Sequence, residues 1–236
     1  MTDLTYRSYQ KELLDNDDIP FADIKQNMKE LNTVNSLLGG HNITIKGIES
    51  IITNAHNSKL LSVCEIGCGG GDNLNAIAAW SKKKNLKILF TGIDIKQACI
   101  DYACEQYPNL PAKWITSDYA EAELSKNKPA IIFSSLFCHH FKEKELVEMV
   151  KWMKDNCEKG FFINDLHRNS LAYYLIKWIT KIFSQSYLVK NDAPLSVARG
   201  FKKKEWKAIF SAAGITNYNI QWKWAFRHLI VYRHEL

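Results

Sequence analysis

Two hydrophobic patterns alternate along this chain: short continuous apolar runs, and longer stretches whose apolar residues recur at helical spacing. Leu60, Leu61, Val63, Cys64 and Ile66 form a run suited to a parallel strand covered on both faces. Gly67, Gly69 and Gly71 follow, so the backbone can turn tightly and approach a ligand. Asn73 to Lys83 then reads as a helix with Leu74, Ile77, Ala78 and Trp80 on its buried side. The alternation continues through a strand at Lys87–Ile93, a helix at Lys96–Gln106, strands at Ala112–Thr116 and Pro129–Ser135, a helix at Lys142–Asn156 and a strand at Gly160–Asn164. Strand and helix in turn with short connections predict right-handed βαβ units, an α/β fold with a doubly wound parallel sheet.

The flanks differ. Thr5–Asp18, Ile24–Leu38 and Thr44–Asn54 are expected to be helices packed beside the sheet, the second ended by Gly39 and Gly40. After Asn169, ten apolar residues between Leu171 and Phe183 leave only a narrow polar strip at Lys177, Lys181 and Ser184. Core, a lid over a lipophilic substrate and an interfacial membrane contact all stay open for this helix. Lys202–Ala213 is a further helix, and Ile215–Trp222 with Phe226–Tyr232 reads as an antiparallel pair ending the sheet.

Composition narrows the class. At 236 residues and 46% hydrophobic, the chain can bury one substantial core. No apolar run is long enough to span a bilayer. Six cysteines with no C-x-x-C pair, and no secretory leader, point to reduced thiols in a cytoplasm, and no metal site is expected. The net charge of +6 is uneven: residues 1–30 hold seven acids and four bases, whereas residues 167–236 hold twelve bases and three acids. The cluster Arg199, Lys202, Lys203, Lys204 and Lys207 could attract RNA, a lipid surface or an acidic substrate, but reads first as one solvated helix face.

Ligands of open α/β sheets bind at the carboxyl ends of the strands, where four features converge: the glycine turn, Asp94, Asp118 and Ser134–His140. A dinucleotide fingerprint expects a third glycine where Asp72 stands, so the pattern is E-x-G-x-G-x-G from Glu65. Asp94 can accept both hydroxyls of a ribose, and Asp118 an exocyclic adenine amine, which suits an adenosine without a pyrophosphate. Either acid could instead cap the helix that follows it.

The motifs CEIGCGGGDNL, GIDI, ITSDY and AIIFSSLFCHHF, over Val63–Asn164, resemble class I S-adenosylmethionine-dependent methyltransferases, in the small-molecule group that includes quinone-biosynthesis O-methyltransferases. The resemblance implies a seven-stranded Rossmann-like sheet in the order 3-2-1-4-5-7-6. It implies S-adenosylmethionine as cofactor, leaving as S-adenosylhomocysteine. Glu65, Gly67, Gly69 and Gly71 would border the methionine portion, Asp94 hold the ribose, Ile95 pack on adenine, Asp118 and Tyr119 contact the adenine edge, and Ser134, Ser135 and Leu136 line the cofactor. Residues 1–236 are then one domain: a helical extension (1–57), a cofactor-binding core (58–165), a lid or substrate insertion (166–201), and a terminal helix with its strand pair (202–236).

NSLLGGH, DLHRNSLAYYLIKW and NDAPLSVARGF are similar to bacterial methyltransferases found beside type III polyketide synthases, which implies a phenolic or pyrone-like acceptor. The expected activity is methyl transfer to a small-molecule oxygen on a phenolic, quinol-like or polyketide-derived hydroxyl, with a lipophilic aromatic acceptor among the candidates. Methylation of RNA or protein, and a non-catalytic cofactor-binding protein, are the alternatives. Ser134–Phe137 reads SSLF rather than an N/D-P-P-Y/F tetrad, against an amino-group acceptor. His140, then His139, is the candidate base, because an imidazole titrates near neutrality; capping or packing is the competing role. His167, Arg168, Tyr173 and Arg199 are candidate substrate contacts, and Asp192 and Ser196 belong with the lid.

Overall fold

The computed structural model describes residues 3–16, 18–52, 60–124 and 128–234. Its elements run α1 (Phe21–Leu37), α2 (Gly40–Ile51), β1 (Leu61–Ile66), α3 (Asp72–Lys83), β2 (Ile88–Asp94), α4 (Gln97–Gln106), β3 (Ala112–Thr116), β4 (Ile131–Ser135), α5 (Glu143–Asn156) and β5 (Gly160–Leu166). There follow α6 (Ser170–Phe183), α7 (Tyr187–Arg199), α8 (Lys203–Ala212), β6 (Tyr218–Lys223) and β7 (Arg227–Arg233). One seven-stranded sheet has the order β3-β2-β1-β4-β5-β7-β6, as the resemblance implies. Strands β1 to β5 pair in parallel, and β7 is antiparallel to both β5 and β6.

Period-two alternation divides the strand residues between two cores. Cys64, Phe161 and Ile163 face α5 and α8, where Leu146, Met153, Trp206 and Phe210 pack. Val63, Phe133 and Phe162 face α2 and α3, where Ile48, Leu74 and Ile77 close the layer. Both faces of the central strands are thus covered, which explains their continuous apolar runs.

Three expectations are corrected. Thr5–Asp18 is not a helix: among its described residues only Leu13–Asp15 forms a 3-10 turn, and the rest is an extended strap pinned by distant partners. Ser8 N–H donates to Ala198 O, and the Leu13 and Leu14 N–H groups donate to the Asp192 carboxylate. The third helix begins at Gly40 rather than Thr44, because Gly39 adopts the left-handed conformation that starts it; positions 53 and 54, and the expected boundary at 57/58, lie outside the described residues. The 166–201 insertion contains a second helix, α7, which the hydrophobic pattern does not show.

The helix α6 is not core either. Only Ala172 and Thr180 are buried on it, while Leu171, Trp178, Ile182 and Phe183 are exposed. Among the described residues no helix is long and apolar enough to cross a membrane.

Candidate functional site

A cavity of about 470 Å³ opens at the carboxyl ends of β1, β2 and β4. The glycine turn forms its floor. Gly67 has a φ of +65°, and a Cβ there would lie 2.2 Å from the Phe137 ring, so both space and backbone demand glycine. The Gly69 N–H donates to Asp94 Oδ2 at 2.8 Å, and Lys96 N–H to Asp94 Oδ1 at 2.9 Å. Each Asp94 oxygen keeps accepting capacity toward the cavity. Burial raises its pKa, with the two backbone donors opposing.

Glu65, at the end of β1, is wholly buried. Its Oε1 accepts from Asn73 Nδ2 at 2.9 Å, while Oε2 has no hydrogen-bond partner among the described residues. Burial pushes this carboxyl well above its usual range, and the nearby charges of Asp72 and Asp94 add to the rise. Arg227, 2% exposed on β7, lines the same cavity with Nε and Nη1 likewise unpartnered among the described residues. Burial presses its guanidinium down to about 10. Asn27 Nδ2 and Asn35 Oδ1, also without partners among the described residues, add two more polar atoms to the lining. Buried polar atoms without partners mark a place where a polar ligand completes the bonding.

The far end is built around two imidazoles on the short 3-10 turn Cys138–His140 after β4. His139 Nδ1 lies 2.8 Å from Asp165 Oδ1, and His140 Nδ1 lies 3.0 Å from Asp15 Oδ1. Burial alone would raise Asp165; His139, through charge and hydrogen bond, outweighs it, and the carboxyl is held below its ordinary range. Both Nε2 atoms turn toward Glu12, at 3.5 Å from Oε1 and 3.8 Å from Oε2. Burial raises the Glu12 carboxyl to about 7, against the charge of His140 and the hydrogen bond from Ser196 Oγ. The α6 side chains of Ala172, Leu175, Ile176 and Ile179 form an apolar wall beside these groups.

Residues 63–160 match the family model described as "Methyltransferase domain". Over 146 residues the chain is 30% identical to the mitochondrial ubiquinone biosynthesis O-methyltransferase of Saccharomyces cerevisiae, a match covering 60% of this chain and 44% of that protein. The chain therefore spans less than half the length of this curated relative. Two solved structures share the fold. The plantazolicin methyltransferase BpumL, in complex with a triazolic desmethylPZN analog and SAH, aligns over 90% of this chain and 97% of its own at 16% identity, with a TM-score of 0.63. Magnesium protoporphyrin IX methyltransferase (ChlM) from Synechocystis PCC 6803, with bound SAH, aligns over 93% and 90% at 15% identity, with a TM-score of 0.52.

Of the residues singled out in the sequence, Glu65, Gly67, Gly69, Asp94, Ile95, Ser135, Leu136, His139 and His140 all line the cavity, as do Asp192 and Ser196 from α7. The remaining candidates stand outside that lining. Gly71 caps α3, Ser134 is buried against Cys138, and Asp118 is exposed with Oδ1 accepting from Ala120 N–H. Tyr119 packs edge-on against Phe137, Phe141 and Trp152.

Of the expected substrate contacts, none lines the cavity. Arg168 is 1% exposed and spends its guanidinium on the Leu4, Thr5 and Gly200 carbonyls and on Glu205, leaving no donor for an acceptor anion. His167 packs on the His228 ring, and Tyr173 borders a separate, smaller cleft. Arg199 is turned inward, out of the basic cluster: its guanidinium donates to the carbonyls of His139, His140 and Gln10 and to Asp15, positioning the imidazole turn.

Glu12, Asp15, Asp165 and Arg227 belong to the site although sequence reasoning gave them no role. Nothing local marks Glu12 or Asp15. Asp165 and Arg227 carried one weak signal, a charged residue at the end of an apolar strand.

Proposed function

We propose that the chain is an S-adenosylmethionine-dependent methyltransferase whose acceptor is an oxygen of a small molecule, a phenolic, quinol-like or polyketide-derived hydroxyl. The observation that carries this reading is the pairing of two carboxyl groups, the buried Glu65 and the half-buried Asp94, beside the glycine turn, in one cavity that ends at His139 and His140. The family match and the SAH held by the fold neighbours support the choice of cofactor.

The lining fits that cofactor. Asp94 accepts from the ribose hydroxyls, and Ile95, 67% exposed at the rim, offers an apolar surface to the adenine. Glu65 Oε2 and the Arg227 guanidinium answer the ammonium and carboxylate of an amino-acid end. The bound cofactor supplies an electrophilic methyl group on a sulfonium sulfur. The chain's own residues align the acceptor, exclude water through the apolar wall of α6, and receive the acceptor's proton at an imidazole Nε2, His140 before His139. A lipophilic ring or tail lies against Leu175, Ile176 and Ile179.

Isothermal titration with S-adenosylhomocysteine tests the cofactor. Asp94→Ala is expected to weaken binding about 30-fold, equivalent to about 2 kcal/mol for hydrogen bonds to a charged acceptor, and Asp118→Ala to change it little. No binding to the unsubstituted protein sinks the reading. Tritium transfer from labelled cofactor to lipophilic phenols, RNA and protein in parallel then identifies the acceptor class; labelling of RNA or protein alone overturns the small-molecule assignment.

A further inference from the structure

The Nε2 atoms of His139 and His140 face the two oxygens of Glu12 at 3.5 and 3.8 Å, too far for good hydrogen bonds. One nitrogen from each imidazole and one oxygen of Glu12 all lie within 4.8 Å of one another. Donors that share one ion through bonds of about 2.1 Å at octahedral or tetrahedral angles stand about 3.0–3.5 Å apart. A small contraction of this cluster brings its donors to that spacing.

The outer partners match as well. Each imidazole has its Nδ1 beside a carboxylate, Asp165 for His139 and Asp15 for His140, the arrangement in which an Nδ1–H donated to the carboxylate leaves the Nε2 lone pair for a metal. Glu12 and Asp15 share one guanidinium: Arg199 donates to Asp15 at 3.2 Å and lies 3.9 Å from Glu12 Oε1, whereas the neighbouring Arg7 is paired with Glu143. Arg199 also holds the carbonyls of both histidines, so the donors sit on a fixed frame.

We infer that Glu12, His139 and His140 form a binding site for one divalent transition-metal cation, with its open side toward the cavity. Two imidazoles and one carboxylate are the donor set of facial sites that keep positions free for a substrate oxygen. A phenol or enol hydroxyl of the acceptor would take such a position and lose its proton more readily there, the proton leaving to solvent. That role rests on the function proposed above; binding of the cation does not. It also departs from the sequence expectation, which looked for cysteine pairs and could not see Glu12 beside the histidines. Coordination and proton acceptance at Nε2 exclude one another, so the metal titration decides between them.

Cobalt(II) is the probe. After chelation and dialysis, the protein is titrated with Co²⁺ while the visible d–d absorption is followed, with adenosylhomocysteine calorimetry on the same samples. One Co²⁺ per chain with a ligand-field band displaced by Zn²⁺ is expected, weakened at least about 10-fold in Glu12→Gln and in His140→Gln. Retained adenosylhomocysteine binding shows that the variants are folded. Absence of saturable Co²⁺ binding, or unchanged binding in both folded variants, overturns the site. Loss of cofactor binding in the unsubstituted protein would instead defeat the methyltransferase reading and leave the cobalt result standing.

Discussion

His228 stands on β7 opposite Asp165 in the β5–β7 register, 3% exposed and 4.8 Å from the His167 ring. Burial pushes its pKa down to about 4; His167 and Lys203 press the same way, and Asp165 opposes them. Because the folded value lies below the unfolded one, near 6.5, the unfolded chain binds more protons between these limits. The stability tied to a neutral His228 is complete above pH 6.5 and is lost as the pH falls toward 4. Urea midpoints are therefore expected to drop between pH 7.5 and 5, and His228→Phe to flatten part of that slope; an unaltered slope refutes the assignment. Side chains near the glycine turn were legible singly because short-range pattern announces them. Arg168 and Arg199 were not, since a buried guanidinium that satisfies carbonyls looks in sequence like one that binds a substrate.

Helices α6 and α7 show what hydrophobic pattern can and cannot convey. The strong apolar character of α6 announces a helix, but whether that surface meets core or cavity depends on neighbours: Leu175, Ile176 and Ile179 face the cavity, and Leu171, Trp178 and Ile182 do not line it. Its start is fixed by Asn169, whose Oδ1 accepts from the N–H groups of Leu171 at 2.9 Å and Ala172 at 3.3 Å. Asn169→Ala is expected to cost about 1 kcal/mol by thermal unfolding, and Asn169→Ser to restore most of it. In α7 the buried positions include Asp192 and Arg199, and Pro194 lies inside the helix, so its inner face reads as polar and broken. The parallel strands posed no such difficulty. Covered on both faces, they carry runs such as Ile131–Phe133 that no surface element needs.

At the scale of the molecule, the seven-stranded order was accessible through motif resemblance, while the strap was not, because its anchors lie far away in sequence. Arg7 alone joins it to three places: Nε donates to Arg199 O at 2.7 Å, Nη2 to the carbonyls of His139 and Phe141, and Nη1 to Glu143. Its guanidinium also lies 3.8 Å from the centre of the Phe201 ring. Arg7→Met, which keeps much of the volume but strands these carbonyls, is expected to lower stability by about 2 kcal/mol in urea unfolding. A loss below about 0.5 kcal/mol, the usual range of a surface change, would mean that the strap is not anchored through this residue.

The bond from Arg7 to Arg199 spans 192 positions. Strands β1 to β5 pair among neighbouring units, whereas the strap's bonds to Asp192, Ala198 and Arg199 close only across most of the chain. The imidazole end of the cavity is thus held together by segments far apart in the chain, whereas the glycine turn and Asp94 are held by near neighbours.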